Sequence, residues 1–309
     1  MQPRSRWKAV HGVLLLDKPI GLSSNDALQK ARRLFQAARA GHTGTLDPLA
    51  SGLLPVCFGD ATRFAGLMLD ADKEYLAQVR LGVRTSTGDA EGEILDTRPV
   101  DVSLDRLLEA LAAHRGDIEQ IPPMHSALKH QGKALYEYAR AGETIERAVR
   151  HVRIHDIELL DCALPSFSMR VRCSKGTYIR TLAEDIGEML GCGAHLSGLR
   201  RTITGPLSLD SSHTLETLAA LDEAQRMDLL LPPDCLLQDL PACWLDGESA
   251  RRLIQGQIVR LDAFPDGATM VDGQVTRAYD GTVFLGLVIA CDGRLQVKRL
   301  LPQESGQKA

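Results

Sequence analysis

Nowhere does the chain hold an apolar run approaching the roughly 18 residues of a membrane-spanning helix, so the sequence predicts no membrane segment. The opening stretch, Met1 to Lys8, is basic and leads into no apolar core of the kind a secretory signal carries, and the expectation is a cytoplasmic protein. Paired cysteines are missing as well: seven stand at 57, 162, 173, 192, 235, 243 and 291, an odd number without a Cys-x-x-Cys, which excludes a disulfide framework. Cys192 and His195 have half of a zinc-like spacing with no second half nearby, so no metal site is expected. Nor is there an excess of positive charge. A net charge of -4 argues against a protein held on nucleic acid by overall charge.

The distribution of charge says more than the sum. Between 129 and 155 there are six Lys or Arg against three Glu, whereas 210 to 248 holds nine acids and only Arg226. A locally basic stretch in an acidic protein fits a phosphate-binding patch, and it fits a solvated helix face equally well. With 309 residues, 44% of them hydrophobic, the chain can bury a large core, and its length points to two unequal domains.

The most distinctive stretch is 41 to 52, Gly-His-Thr-Gly-Thr-Leu-Asp-Pro-Leu-Ala-Ser-Gly, with Asp47 as its charged centre. Glycines permit close backbone approach, and Pro48 fixes φ just after the carboxylate. Loops of this length in compact domains tend to be functional, although Gly, Asp and Pro are also ordinary turn formers. Ahead of it, Val13 to Leu16 reads as a strand buried on both faces and ending at Asp17-Lys18-Pro19, and Ser23 or Ser24 caps a helix with Ala27, Leu28, Ala31, Leu34 and Phe35 on one stripe.

After the loop, helical character is expected over 61 to 69, a period-two strand over 73 to 82, a hairpin or long loop over 83 to 98, and an amphipathic helix over 103 to 114. Tyr75 is either the first core residue of its strand face or an aromatic at the open end. Residues 124 to 153 combine irregular composition with basic charge and read as a mobile arm. Strands follow at 152 to 160 and 167 to 173, then a helix with Ile179, Leu182, Ala183, Ile186, Met189 and Leu190 on its stripe. Arg180 lies off that stripe, free to reach a cleft or to pair with Glu184 one turn on. A strand over 194 to 204, a helix over 216 to 226 and a Pro-rich linker over 231 to 241 complete a first domain, 1 to 240. Short β runs punctuated by Asp-Gly predict a small β domain, 241 to 309.

Three stretches together, Leu16-Asp-Lys-Pro19 with Ser23-Ser-Asn-Asp-Ala27, Gly41 to Ala50, and Cys173-Ser-Lys-Gly-Thr-Tyr-Ile-Arg180, closely resemble the bacterial TruB-type tRNA pseudouridine synthases. The resemblance runs from about residue 11 to 205 and takes in Lys73-Glu-Tyr75 and the segment from Gly191 to Arg201. Over the C-terminal region it is weak and points to a PUA-like RNA-binding domain. It implies an α+β fold with a mixed, mainly antiparallel sheet and flanking helices, a monomer, and no metal or organic cofactor. The implied reaction detaches the uracil of uridine 55 in the TΨC loop of tRNA from C1′, turns it and rejoins it through C5. By the same resemblance Asp47 is the essential carboxylate, Arg180 its partner, Tyr75 the platform for the target base and His42 the group entering the vacated loop. Tyr178 and Leu199 line the base site, and Lys18 supports it. Arg63 stands where Lys is commoner, which keeps the charge.

A carboxylate suits attack on C1′, addition at C6, or removal of the C2′ proton, and the residues do not choose among these. A guanidinium beside Asp47 is expected to lower its pKa. Two other readings deserve weighing. Leu-Leu-Leu-Asp17-Lys echoes aspartyl-phosphate motifs but no acidic metal site accompanies it, and a module that grips and refolds tRNA without chemistry would need no Asp47, Tyr75 and Arg180 set.

Overall fold

The computed structural model describes residues 7–302. β1 (Gly12–Lys18) continues two residues past its apolar stretch, so Asp17 and Lys18 lie in the strand rather than in a turn. Ser23 caps α1 (Ser24–Phe35), accepting from the Asp26 amide at 3.1 Å, and the helix buries Ala27, Leu28, Ala31 and Phe35. β2 (Ala40–His42) and β3 (Ala50–Phe58) take up the two ends of the glycine-rich stretch, leaving 43–49 as the loop itself. Two 3-10 helices, Gly59–Arg63 and Ala65–Asp70, lead into β4 (Lys73–Leu81). β5 (Val83–Thr85) and β6 (Ile94–Thr97) pair as a hairpin, and α2 (Leu104–Ala113) begins on its Ser103 cap.

β7 (Gly116–Gln120) precedes the basic arm, which contains the small hairpin β8 (Lys129–His130) and β9 (Lys133–Ala134) and the one-and-a-half-turn α3 (Leu135–Arg140). β10 (Arg150–Ala163), β11 (Ser166–Cys173), α4 (Ile179–Met189) and β12 (Ala194–Thr204) follow. Met189, expected on the buried stripe of α4, is 53% exposed because it falls in the last turn, beyond the sheet. β13 (Leu207–Ser208) and β14 (His213–Thr214) are short. The single helix expected over 216 to 226 is two, α5 (Leu215–Ala220) and α6 (Glu223–Asp228), because Asp222 and Gln225 form a capping box that starts a new helix.

Ten strands form one sheet, in the order β14-β1-β3-β12-β4-β11-β10-β7 with β2 on β3 and β13 on β12. The β1/β14 and β3/β12 pairs are parallel and the other ladders antiparallel, the mixed α+β arrangement expected. Central β3 has every residue buried, since both its faces are covered. On one side Leu14, Leu16, Leu54, Val56 and Phe58 pack on α1. On the other, Val13, Leu15, Leu53 and Cys57 meet Phe64 and Met68 of the 3-10 segment. Farther along, α2 and α4 cover β4, β10, β11 and β12 with Leu107, Leu111, Leu182 and Ile186. Each such side chain contributes about 1.5–3 kcal/mol on burial, which makes β3 a fixed base for the loop that precedes it.

β15 (Ala242–Leu245), α7 (Gly247–Ile254), β16 (Val259–Arg260), β17 (Val275–Asp280), β18 (Val283–Cys291) and β19 (Arg294–Leu300) build a second sheet of five strands. Asp280-Gly281 and Asp292-Gly293 are its tight turns, whereas Asp266-Gly267 lies in a 3-10 helix. α7 went unread among the β runs; its signal is Asp246, which caps it by accepting from the Glu248 and Ser249 amides at 3.0 and 2.8 Å. This sheet shares a core with the first. Tyr279, Phe284 and Leu287 pack with Val13, Leu53 and Phe64, and Leu236 and Leu237 of the expected linker are buried between them.

Gly52 joins the site to the sheet. It sits at φ +99 in β3, and a Cβ there would stand 2.3 Å from the Arg201 carbonyl oxygen on the parallel neighbour β12. Gly52→Ala is expected to cost about 1–3 kcal/mol from backbone strain alone, and more from the clash, as a lowered midpoint in urea unfolding. An unchanged midpoint would show that β3 and β12 have room to part.

Candidate active site

The 43–49 loop is held from three sides. Ser24, buried at the start of α1, accepts from the Leu46 amide at 2.7 Å and donates to the Leu46 carbonyl at 3.0 Å. The Gly21 amide donates to the Pro48 carbonyl at 2.8 Å, and Arg201 reaches from β12 to the Gly44 carbonyl at 3.3 Å. Asp47, between these anchors, keeps 41% of its side-chain surface open to a cavity. Its Oδ2 is 2.9 Å from Nη2 of Arg180, and of the two readings for Arg180 the structure takes the cleft, not Glu184.

Arg180 is almost wholly buried, and four groups satisfy it. Besides Asp47, Nη1 lies 3.5 Å from Oδ2 of Asp89 and donates to the Thr87 carbonyl at 2.9 Å, while Nη2 donates to the His125 carbonyl of the arm at 2.7 Å. Asp89 is itself buried and fixed, accepting from Thr87 Oγ1 at 2.5 Å and the Glu91 amide at 3.1 Å. Burial pushes the Asp47 carboxyl above its usual value of 3.8, Arg180 pulls it back, and Asp89 adds to the rise. The lowering expected from Arg180 is thus outweighed by burial of the carboxyl's inner side, even though its outer side opens to the cavity.

The cavity has two lobes of about 230 and 460 Å³ that meet at Asp47, Ser126 and Arg180. Tyr75, Tyr178 and Leu199 line the first lobe, and Tyr75 also packs against the core beneath it, so both readings for that side chain hold in part. Tyr178 is clamped by Gln120, which accepts from its amide at 3.0 Å and donates to its carbonyl at 3.2 Å. His42 lines the second lobe, with Asp89, Tyr136 and Arg140 of α3. Burial, helped by Arg201, holds the imidazole pKa of His42 below 6.5. Lys18 stands apart from both lobes: it is fully buried behind the loop, donating to the Pro19 and Leu22 carbonyls at 2.9 and 2.6 Å, with its pKa lowered by burial to about 8. Arg63 is also outside, beside Asp60 at 3.4 Å.

Three residues of the site were not singled out from sequence. Asp89 carried no signal beyond a Thr-Gly-Asp turn. Arg201, 1% exposed, resembles any charged residue near a strand end, yet it lines the first lobe and donates to the Leu53 carbonyl at 2.8 Å. Lys73 also lines that lobe, bound to the Leu69 and Ala71 carbonyls at 2.9 and 2.6 Å, and burial lowers its pKa to about 8. Elsewhere, Asp17 spends its carboxylate on Arg200 at 2.6 Å, and His195 is bonded to the Val83 carbonyl at 2.9 Å. Among the described residues no group of three or more His, Cys, Asp or Glu could hold a metal ion, the cysteines are unpaired, and no helix is long and apolar enough to cross a membrane.

Comparison with known proteins places the chain in a family. Residues 32–179 match the model of the TruB family pseudouridylate synthase N-terminal domain, and 180–238 that of the tRNA pseudouridylate synthase B C-terminal domain. The tRNA pseudouridine synthase B of Cupriavidus taiwanensis is 57% identical over 97% of this chain and 96% of its own. That of Burkholderia pseudomallei is 54% identical over 97% of each chain. Among solved structures, a chain of a Cbf5-Nop10-Gar1 complex superposes with a TM-score of 0.73 at 26% identity, covering 94% of this chain and 84% of that one. Two adjoining family models and relatives at this identity over nearly the full length show that the chain belongs to the TruB family of pseudouridylate synthases.

Proposed function

We propose that the protein isomerises uridine 55 in the TΨC loop of tRNA to pseudouridine, with Asp47 as the catalytic carboxylate. The observation that carries this reading is the position of Asp47 at the junction of the two lobes, ion-paired with a buried Arg180. A uracil stacked on Tyr75 between Leu199 and Tyr178 fills the first lobe. Its glycosidic bond then lies at the junction, facing Asp47. Extruding the base costs about a few kcal/mol, and stacking on an aromatic returns roughly 1–3 kcal/mol. His42, neutral because burial disfavours its cation, occupies the place the nucleotide leaves. Arg180 keeps Asp47 in one rotamer, and the Asp89 carboxylate keeps Arg180 in one. Lys18 acts from behind, fixing the turn from which Gly21 holds Pro48.

Residues 1–240 form the catalytic domain in this reading, and 241–309 a PUA-like unit that adds RNA surface. The arm over 124–153 closes on the RNA with its basic side chains. Its link to the site is the Arg180 bond to the His125 carbonyl, so arm and carboxylate share one cation.

Asp47→Asn is expected to abolish pseudouridine formation in an unmodified tRNA transcript while changing tRNA affinity by less than about 1 kcal/mol, because phosphate contacts dominate affinity. Turnover by the Asn variant at a sizeable fraction of the wild-type rate would remove Asp47 as the catalyst.

The reaction needs the ionised carboxylate, and the folded protein holds the Asp47 pKa above 3.8. Activity should therefore fall with acid at a higher pH than an ordinary aspartate would give, and Asp89→Asn, by removing a neighbouring negative charge, should move that limb to lower pH. A limb at or below 3.8 in the wild type would contradict the burial argument.

Lys129 is exposed, and Lys133 lies with Nζ 4.3 Å from the Tyr138 ring centroid. Replacing both by Ala should flatten the log-log salt dependence of tRNA binding by on the order of 1.4 to 1.8 if each meets a phosphate, and by about half that if Lys133 stays on Tyr138. An unchanged slope would mean that neither touches RNA.

A further inference from the structure

Resting on the proposed reading of the site, one side chain in the cavity remains without a task. Ser126 is 5% exposed, stands on the arm next to His125, and lines both lobes beside Asp47 and Arg180. Its backbone is tied down, the amide donating to the Met124 carbonyl at 2.9 Å and the carbonyl accepting from the Tyr136 amide at 3.1 Å. Its hydroxyl is not: no donor or acceptor meets Oγ at hydrogen-bond distance and angle. Among the described residues the other orphaned side-chain atoms belong to Thr43, Arg147, Thr181, Thr204 and Arg226, and none of those borders the Asp47 cavity. Leaving a buried hydroxyl unpaired costs about 1–3 kcal/mol, a penalty that a ligand group in the cavity would remove.

We propose that Ser126 Oγ donates a hydrogen bond to a carbonyl oxygen of the uracil in the first lobe, and that one hydroxyl serves the base before and after it turns. The chemistry of uracil permits this. Half a turn about the N3–C6 axis exchanges N1 with C5, as the isomerisation requires, and it exchanges O2 with O4. A fixed donor that meets one carbonyl in the uridine orientation therefore meets the other in the pseudouridine orientation. Tyr178 lines the same lobe as Ser126, and its phenol, near enough for Ser126 to oppose the rise that burial gives its pKa, is the protein group that competes with a bound base for Oγ. Because Arg180 binds the neighbouring His125 carbonyl, the arm then checks for a uracil at the place where it touches the catalytic ion pair.

The experiment is a cycle of Ser126→Ala against thio-substituted substrates: a T-arm stem-loop carrying uridine, 2-thiouridine or 4-thiouridine at the target position, read as kcat and KM for pseudouridine formation. A neutral hydrogen bond predicts about a 2- to 12-fold loss in kcat/KM for S126A on uridine. Most of it should lie in KM, since the bond is made in both orientations. One of the two thio substrates should slow the wild type and cost S126A little more, the coupling expected when hydroxyl and carbonyl are partners. S126C, near in size with a weak donor, should behave as S126A does. Equal losses by S126A on all three substrates would assign Ser126 to holding the arm and overturn the proposal, as would an S126A enzyme indistinguishable from wild type. A wild-type protein that forms no pseudouridine on the uridine stem-loop would instead fail the proposed function, and this inference with it.

Discussion

A single buried guanidinium organises the site. Arg180 is almost wholly buried, so each of its contacts must offset the desolvation of a full charge, and the groups that do so come to α4 from three places in the chain: the Asp47 loop, the 87–89 turn and the arm at His125. Removing any one leaves the cation short of a partner in a place water reaches poorly. The four segments are for that reason fixed together, and the Asp47 carboxylate takes its position from this arrangement as well as from the anchors of its own loop. Asp47 in turn is the least enclosed of the ion-paired set, which leaves it the one partner with surface free for a substrate.

The scaffold explains why such a network holds still. β3 is buried on both faces and continues directly from the Asp47 loop, and β12 lies parallel to it, carrying Leu199 and Arg201 to the same end of the sheet. Tyr75 on β4 is the next strand over, paired with Arg201. Three adjacent strands therefore deliver the cavity-lining side chains in fixed register, and the helix start at Tyr178 and Ile179 delivers Arg180 from the facing layer. Loop chemistry is carried on strand precision.

Much of this was legible in the sequence, for identifiable reasons. Period-two and period-3.6 patterns located β4, β11, α1, α2 and α4 because each buries one face, and the glycine-rich stretch stood out because its composition is local. The partners of Arg180 were not local. Asp89 is ninety-one residues from it in sequence and looks like a hairpin turn residue, so neither periodicity nor composition links the two. Arg201 would be read as solvated from its type alone, and its burial comes from two neighbouring strands and a loop closing over it. The single helix expected over 216 to 226 runs straight through Asp222 and Gln225, whose spacing is a capping box that starts a second helix. Resemblance to a family supplied the roles expected of Asp47, Tyr75 and Arg180; geometry alone drew attention to Asp89 and Ser126.

The core shared by the two sheets bears on how the chain is made. Val13 and Leu15 on the first strand are covered on one face by Tyr279, Phe284 and Leu287, some 270 residues later. At about 5–20 residues per second, a ribosome needs on the order of tens of seconds to supply that cover. For that interval the cover this apolar face can have comes from earlier segments, Phe64, Met68, Leu236 and Leu237 among them, and the sheet that carries the site waits for the far end of its own message to be read before the rest is hidden.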